Sequence, residues 1–294
     1  MSDSSGLFAQ PGNFAGLPSH LSDPATAKVF ILPVPYDSTT EWHSGTRDGP
    51  KSIIEASFYL EMYDAKLGKE ICDVGIHTLP ALEPVLSGPD AMIDRVYQAV
   101  NSILGQSKFM AMLGGEHSIS CGAVRAFREK YDNLSVLQLD AHTDLRDQYL
   151  GTKFNHACAM RRIIELCPIT QVGIRSLSLE ENQYIMSNNL KPFFFALEYS
   201  PSAIEGIIDS LNDNVYLTID LDVFDPCMMP AVGTPEPGGM SWNQVTGLLK
   251  TVAESKNIVG FDVVELCPGQ GPAACSFTAA KLIYKLLGYC FFKG

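Results

Sequence analysis

The chain has 294 residues, 46% of them hydrophobic and 18% charged, with a formal net charge of −12 at pH 7. Such a size and apolar content allow one large buried core, while the acidity argues against a nucleic-acid backbone as partner and suits an amine or guanidinium ligand. No apolar run approaches the ~20 residues that span a bilayer, and Met1–Gln10 is polar and rich in small residues, unlike a signal peptide, so the chain reads as cytoplasmic, with no membrane partner.

In chain order, residues 1–27 are rich in Ser, Gly and Pro and read as a loosely ordered N-terminal arm; residues 28–294 read as a single domain. Apolar runs predict strands at Val29–Val34, Ile71–Val74, Phe109–Leu113, Ser135–Leu139, Ile169–Val172, Pro192–Phe195, Val215–Ile219 and Ile258–Val263. Between them, amphipathic spacing predicts helices at Asp90–Ile103, Ser118–Lys130, His156–Leu166, Ser202–Leu211, Ser241–Glu254 and Thr278–Phe291. Continuous apolar strands alternating with helices signal a parallel sheet covered on both faces. The expected fold is therefore a three-layer α/β/α domain with a mostly parallel sheet of about eight strands. The eight cysteines form no CxxC pair and read as small buried apolar residues.

Three motifs carry the chemistry: MLGGEHS (Met112–Ser118), LQLDAHTD (Leu137–Asp144) and LTIDLDVFDP (Leu217–Pro226). Each follows the apolar core of a strand, and in parallel sheets functional groups gather beyond the strands' carboxyl ends. Alternate strand residues share a face, so Asp140, His142 and Asp144 should converge at one strand end and Asp220 with Asp222 at another. His117 joins them. Four carboxylates and two imidazoles in one place call for a cation. Oxygen-rich sets with some imidazole suit Mn²⁺ better than zinc, and six protein ligands exceed what one catalytic ion takes while keeping an open position. Two divalent ions roughly 3.5 Å apart, with shared carboxylates, would fit and would ionise water near neutral pH. The plainer alternative makes these aspartates caps and turn residues. That alternative is the preferred reading for Asp225, a loop or outer-sphere residue, and for Asp147; His20, His43 and His77 are read as structural.

With these residues in place, the chain resembles the ureohydrolases, the family of arginase and agmatinase, and most resembles agmatinase. The matches are GGEHS (Gly114–Ser118), DAHTD (Asp140–Asp144), IDLDVFDP (Ile219–Pro226) and GTPEPGG (Gly233–Gly239), supported by GIR (Gly173–Arg175), VVELCP (Val263–Pro268) and VPYDSTTEWHSGTRDGP (Val34–Pro50). They span nearly the whole chain in order. The resemblance implies an arginase-like fold and two Mn²⁺ per subunit held by His117, Asp140, His142, Asp144, Asp220 and Asp222. It also implies a homo-oligomer, trimer or hexamer, and a role in polyamine biosynthesis. It places the guanidinium-contacting acid at Glu265, where a carboxylate can take a bidentate hydrogen bond from a planar guanidinium. It places the family's mobile, proton-shuttling histidine at His156, a group able to return a proton to a leaving amine.

Two departures point away from arginine. Arginases place Asn two residues beyond DAHTD to contact the substrate α-carboxylate, and Arg146 stands there instead; the acid they carry shortly after GIR is replaced by Ser176, Leu177 and Ser178. Glu116 and the EPGG stretch Glu236–Gly239 look agmatinase-like. The expected reaction is hydrolysis of agmatine to urea and putrescine, with Glu265, His156 and Asp144 as catalytic groups and Glu265 and His156 touching substrate. Arg146 keeps open an anionic guanidino or formimino substrate. Arginine, guanidinobutyrate and aminopropylagmatine remain alternatives, as does a metal- or polyamine-binding homologue without turnover. Glu41, Asp37 and Glu180 are candidates for reading the far ammonium. Cys227, Met228 and Met229 either wall the methylene chain or fill the core.

Overall fold

The computed structural model describes residues 12–192 and 200–293. The strands are β1 (Val29–Val34), β2 (Tyr63–Asp64), β3 (Lys69–Glu70), β4 (Ile76–Thr78), β5 (Phe109–Gly114), β6 (Leu134–Leu139), β7 (Ile169–Val172), β8 (Asn214–Asp220) and β9 (Asn257–Val264). Seven form one sheet in the order β4-β1-β5-β9-β8-β6-β7, every neighbouring pair parallel; β2 and β3 make a small antiparallel ribbon. The helices are α1 (Ser19–Ser22), α2 (Gly49–Ser57), α3 (Pro89–Gly105), α4 (Ser120–Lys130), α5 (Ala159–Ile163), α6 (Leu179–Ser187), α7 (Pro201–Ser210), α8 (Trp242–Ser255) and α9 (Ala274–Phe291).

The sheet separates two apolar cores because its strands alternate. Val29 and Ile31 of β1, Ala111 and Leu113 of β5 and Leu217 of β8 face α2, α7, α8 and α9. Phe30, Leu32, Met110, Met112 and Tyr216 face α3, α4, α5 and α6. Burying each large aliphatic side chain contributes roughly 1.5–3 kcal/mol. Helix α3 shows the logic: Pro89 opens it, and Met92, Ile93, Val96, Val100 and Ile103 turn one stripe inward. Helix α8 starts on a capping box, Ser241 with Gln244.

Two expected elements differ. Ile71–Val74 is a 3-10 turn, and the edge strand is β4, just beyond Gly75 at φ 74°. The helix expected from His156 is a turn, His156–Cys158, followed by the short α5. Beyond Pro192, the strand expected at Pro192–Phe195 lies outside the described residues. Within the stretch expected as an arm, Phe14 is fully buried; its amide donates to Thr78 Oγ1, and that of Ala15 donates to Ser57 Oγ. All eight cysteines are free and six are buried. Among the described residues, no helix is long and apolar enough to cross a membrane.

Candidate metal centre

Five adjacent strands, β1, β5, β9, β8 and β6, end on one side of the molecule, and their following loops build the site. The loops interlock. After β5, a Cβ on Gly115 would lie 1.9 Å from Tyr36 O, so only glycine lets the two loops touch. The next residue, Glu116, is fully buried and accepts the amides of Ser38 and Thr39 at 2.6 Å each. Glu116, read from the sequence as a substrate-class marker, thus anchors the loop after β1. In the sequence Arg175 stands out only as the last residue of GIR. Its guanidinium donates to the carbonyls of Asp222, Phe224 and Glu236 and fastens the loop after β8.

The six residues expected as metal ligands meet at these strand ends. His117 Nδ1 lies 3.2 Å from Asp140 Oδ2, 3.0 Å from Asp144 Oδ2 and 3.5 Å from Asp220 Oδ2. His142 Nδ1 lies 2.8 Å from Asp222 Oδ2 and 3.6 Å from Asp140 Oδ1. Two groups therefore form, His117–Asp140–Asp144 and Asp140–His142–Asp222, each with ligand atoms within 4.8 Å of one another. Asp140 belongs to both, one oxygen turned toward each. The convergence does not come from simple strand alternation: β6 stops at Leu139, and Asp144 is reached through a left-handed backbone, φ 52°. Glu265 is also left-handed, φ 65°. Such residues cost about 1–3 kcal/mol each and persist where their surroundings hold them.

His117 tests whether a cation fits. Its Nε2 meets Thr218 Oγ1 at 2.8 Å, and Thr218 donates its only proton to Asp262 Oδ1 at 2.6 Å. Nε2 is therefore the N–H, and Nδ1 presents its lone pair to the carboxylates in the neutral ring. Buried Nδ1 makes a sound hydrogen bond to none of them. A lone pair and three carboxylate oxygens facing one point suit a cation between them.

The electrostatics agree. Burial, then the neighbouring Asp140 charge, pushes Asp144 up to about 7. Burial and then Asp222 raise Asp220 well above the carboxylate range; burial and Asp140 raise Asp222. Burial works against protonated His117 and His142, yet the surrounding carboxylates outweigh it and raise both well above 6.5. The same contacts overcome burial at Asp140 and hold it low. A cluster that draws protons so strongly is one that two dications would neutralise, four negative charges against four positive. The Asp and His donor set can hold metal.

A cavity of about 270 Å³ opens onto this cluster, lined among others by His142, Asp144, Asp220, Asp222, His156 and Glu265. Glu265 is buried, and its Oε1 accepts the amide of His117 at 2.6 Å. Burial, then Glu116, raises its pKa well above the usual carboxylate value. His156 sits on the opposite loop, its amide bonded to Thr39 Oγ1 at 2.9 Å; burial lowers its pKa below 6.5, so the ring is neutral at pH 7. Arg146 lies in the wall, its guanidinium 4.4 Å from the Tyr149 ring centroid and its Nε 4.0 Å from Glu181 Oε2.

Of the acids suggested for the far ammonium, Glu41 lines the cavity and accepts from Tyr149 Oη at 2.6 Å. Asp37 is occupied by Arg47 and the Gly45 amide, and Glu180 is exposed on α6. Met229 is buried in the core with Met228 packed beside it, so the core-filling reading holds for the two methionines; Cys227 is exposed and fills no core, and none of the three walls the cavity. Asp225 holds its loop through the amides of Cys227, Gly238 and Gly239, and Asp147 pairs with Arg162. His77 is structural, bonded to Ser22 O, whereas His43 lines the cavity.

The parallel three-layer fold thus carries at its strand ends an Asp/His cluster able to hold metal ions. The model of the arginase family matches residues 27–288, and the chain belongs to that family of ureohydrolases. It is 41% identical over 276 residues, 90% of each chain, to the N(1)-aminopropylagmatine ureohydrolase of Synechocystis. It is 35% identical to the protein of that name from Thermus thermophilus, covering 89% of this chain and 90% of the other. The solved agmatine ureohydrolase of Thermoplasma volcanium superposes with a TM-score of 0.85 at 31% identity, over 99% of this chain and 97% of that one.

Proposed function

We propose that the protein is a binuclear manganese hydrolase that cleaves the guanidinium of agmatine or its N(1)-aminopropyl derivative, releasing urea and putrescine or spermidine. The observation that carries this reading is Asp140, one carboxylate facing two His-containing groups with Glu265 beside them in the cavity wall. His117, Asp140, Asp144 and Asp220 would hold one ion and Asp140, His142 and Asp222 the other. When bound, the pair supplies a nucleophile from water at neutral pH and offsets the carboxylate charge. Glu265, fixed by the His117 amide, accepts the guanidinium N–H groups and orients its carbon. Asp144 adds negative charge beside the cationic substrate. His156, neutral at pH 7, can take up a proton and pass it to the departing amine.

The sequence motifs favour agmatine; the names of the relatives in Synechocystis and Thermus thermophilus favour the aminopropyl derivative. The oxygen-rich donor set favours manganese over zinc. A reducing cytoplasm suits eight free cysteines. Exposed Tyr59, Tyr63 and Phe277 suit burial in a homo-oligomer, trimer or hexamer, which light scattering checks. The deciding experiment incubates manganese-loaded protein with agmatine, N(1)-aminopropylagmatine, arginine and guanidinobutyrate and assays urea. Urea from the first two supports the reading. Urea from arginine alone, or from none, overturns it.

A further inference from the structure

Glu181 does not belong to either metal group, yet its carboxylate grips the chain on both sides of one candidate ligand. Its Oε1 accepts Thr143 Oγ1 at 2.7 Å and the Leu145 amide at 3.0 Å, the residues immediately before and after Asp144. Oε2 accepts the amide of Ser178 at 2.8 Å, closing the capping box of α6. Glu181 is 4% exposed and Thr143 is fully buried. The residue between the two gripped positions is the left-handed one, Asp144 at φ 52°. Gln171 secures the same segment from β7, donating to Thr143 O at 2.7 Å.

We propose that Glu181 is a positioning residue that holds Asp144 in its strained conformation, and so sets the affinity of one of the two metal sites. The inference rests on the binuclear reading above. The selectivity follows from the geometry. Asp144 meets the His117 group only, whereas the second group is made by Asp140, His142 and Asp222. Loss of Glu181 should loosen the first site and leave the second. A substrate-reading role for Glu181 would instead change KM and leave metal affinity alone.

The test measures manganese equivalents and their dissociation constants, by chelator competition, in the full-length wild type and in Glu181→Ala, Glu181→Gln and Ser178→Ala. Wild type should take two equivalents. Glu181→Ala should keep one and bind the other about tenfold to hundredfold more weakly, the usual effect of losing an outer-sphere partner. Glu181→Gln should restore both, because its amide oxygen still accepts from Thr143 and Leu145. Ser178→Ala removes the other half of the helix cap but not the grip, so it should melt earlier and still hold two ions. Where Glu181→Ala fails to fold, Thr143→Val, which removes one of the two clamps, carries the same expectation. Two equivalents at wild-type affinity in Glu181→Ala would overturn the inference alone, as would equal weakening in Ser178→Ala. A wild type that takes up no manganese overturns both this inference and the reading beneath it.

Discussion

His117 and Thr218 meet across 2.8 Å, Nε2 to Oγ1, and this contact decides which ring nitrogen faces the carboxylates. Thr218 is committed as donor to Asp262, which also accepts Tyr216 Oη at 2.7 Å. Replacing Thr218 by Val leaves the ring free to turn or change tautomer. Manganese affinity should fall by about tenfold to hundredfold, while Thr218→Ser keeps it. Competition with a chelator measures this, and unchanged affinity in the valine variant would contradict the orienting role.

Glu265→Gln keeps the shape of the side chain and its bond to the His117 amide but removes the charge. A hydrogen bond to a charged group contributes about 1.5–3 kcal/mol, so kcat/KM should fall roughly tenfold to hundredfold with metal uptake retained. Steady-state kinetics beside metal analysis separates the two effects. Loss of metal together with activity would reassign Glu265 to the metal shell.

The Asp/His cluster was legible in the sequence because its residues lie in short motifs directly after apolar runs. His117, Asp140, His142, Asp144, Asp220 and Asp222 all come together in space. Alternation does not carry Asp144 to the site; a left-handed turn does, and nothing local in DAHTD announces it. Helix α2 is announced only by Gly49-Pro50, the proline-first signal, because its nine residues are too few for a clear apolar period. Ile71–Val74 reads as a strand because this stretch, three apolar residues around Asp73, is too short for its period to separate strand from turn. The role of Glu181 was hidden for a different reason. Ser178 and Glu181 have the capping-box spacing, which could have located α6, but the second use of that carboxylate depends on a loop 36 residues earlier in the chain.

Away from the site, Lys285 Nζ lies 2.6 Å from Asp64 Oδ2, with the residues 6% and 5% exposed. Burial alone would raise the Asp64 pKa, but the Lys285 hydrogen bond and charge and the local amides hold it below 3.8. A depressed carboxylate contributes stability that is present above its unfolded pKa and is lost as pH falls through the folded value. Asp64→Asn strands a buried ammonium and should cost about 3–5 kcal/mol at pH 7. The gap in melting temperature should narrow once the pH drops below 3.8. Circular dichroism melts across that range check it; a gap independent of pH would contradict the assignment.

Gly115 is the point where the loops after β1 and β5 touch, and its amide also donates to Val34 O at 3.0 Å. Gly115→Ala forces these backbones apart. Overpacking of this kind costs about 1–3 kcal/mol, and here it also displaces Glu265, whose amide bonds to Gly115 O at 2.9 Å. A lowered melting temperature with a disproportionate loss of kcat is expected. Wild-type kinetics in a folded variant would show that the contact yields freely.

The most direct measurement is an anomalous difference map from crystals grown with manganese. Two peaks about 3.5–4 Å apart, with Asp140 reaching both, are the expected result. A single peak, or density remote from His117 and His142, would contradict the binuclear account.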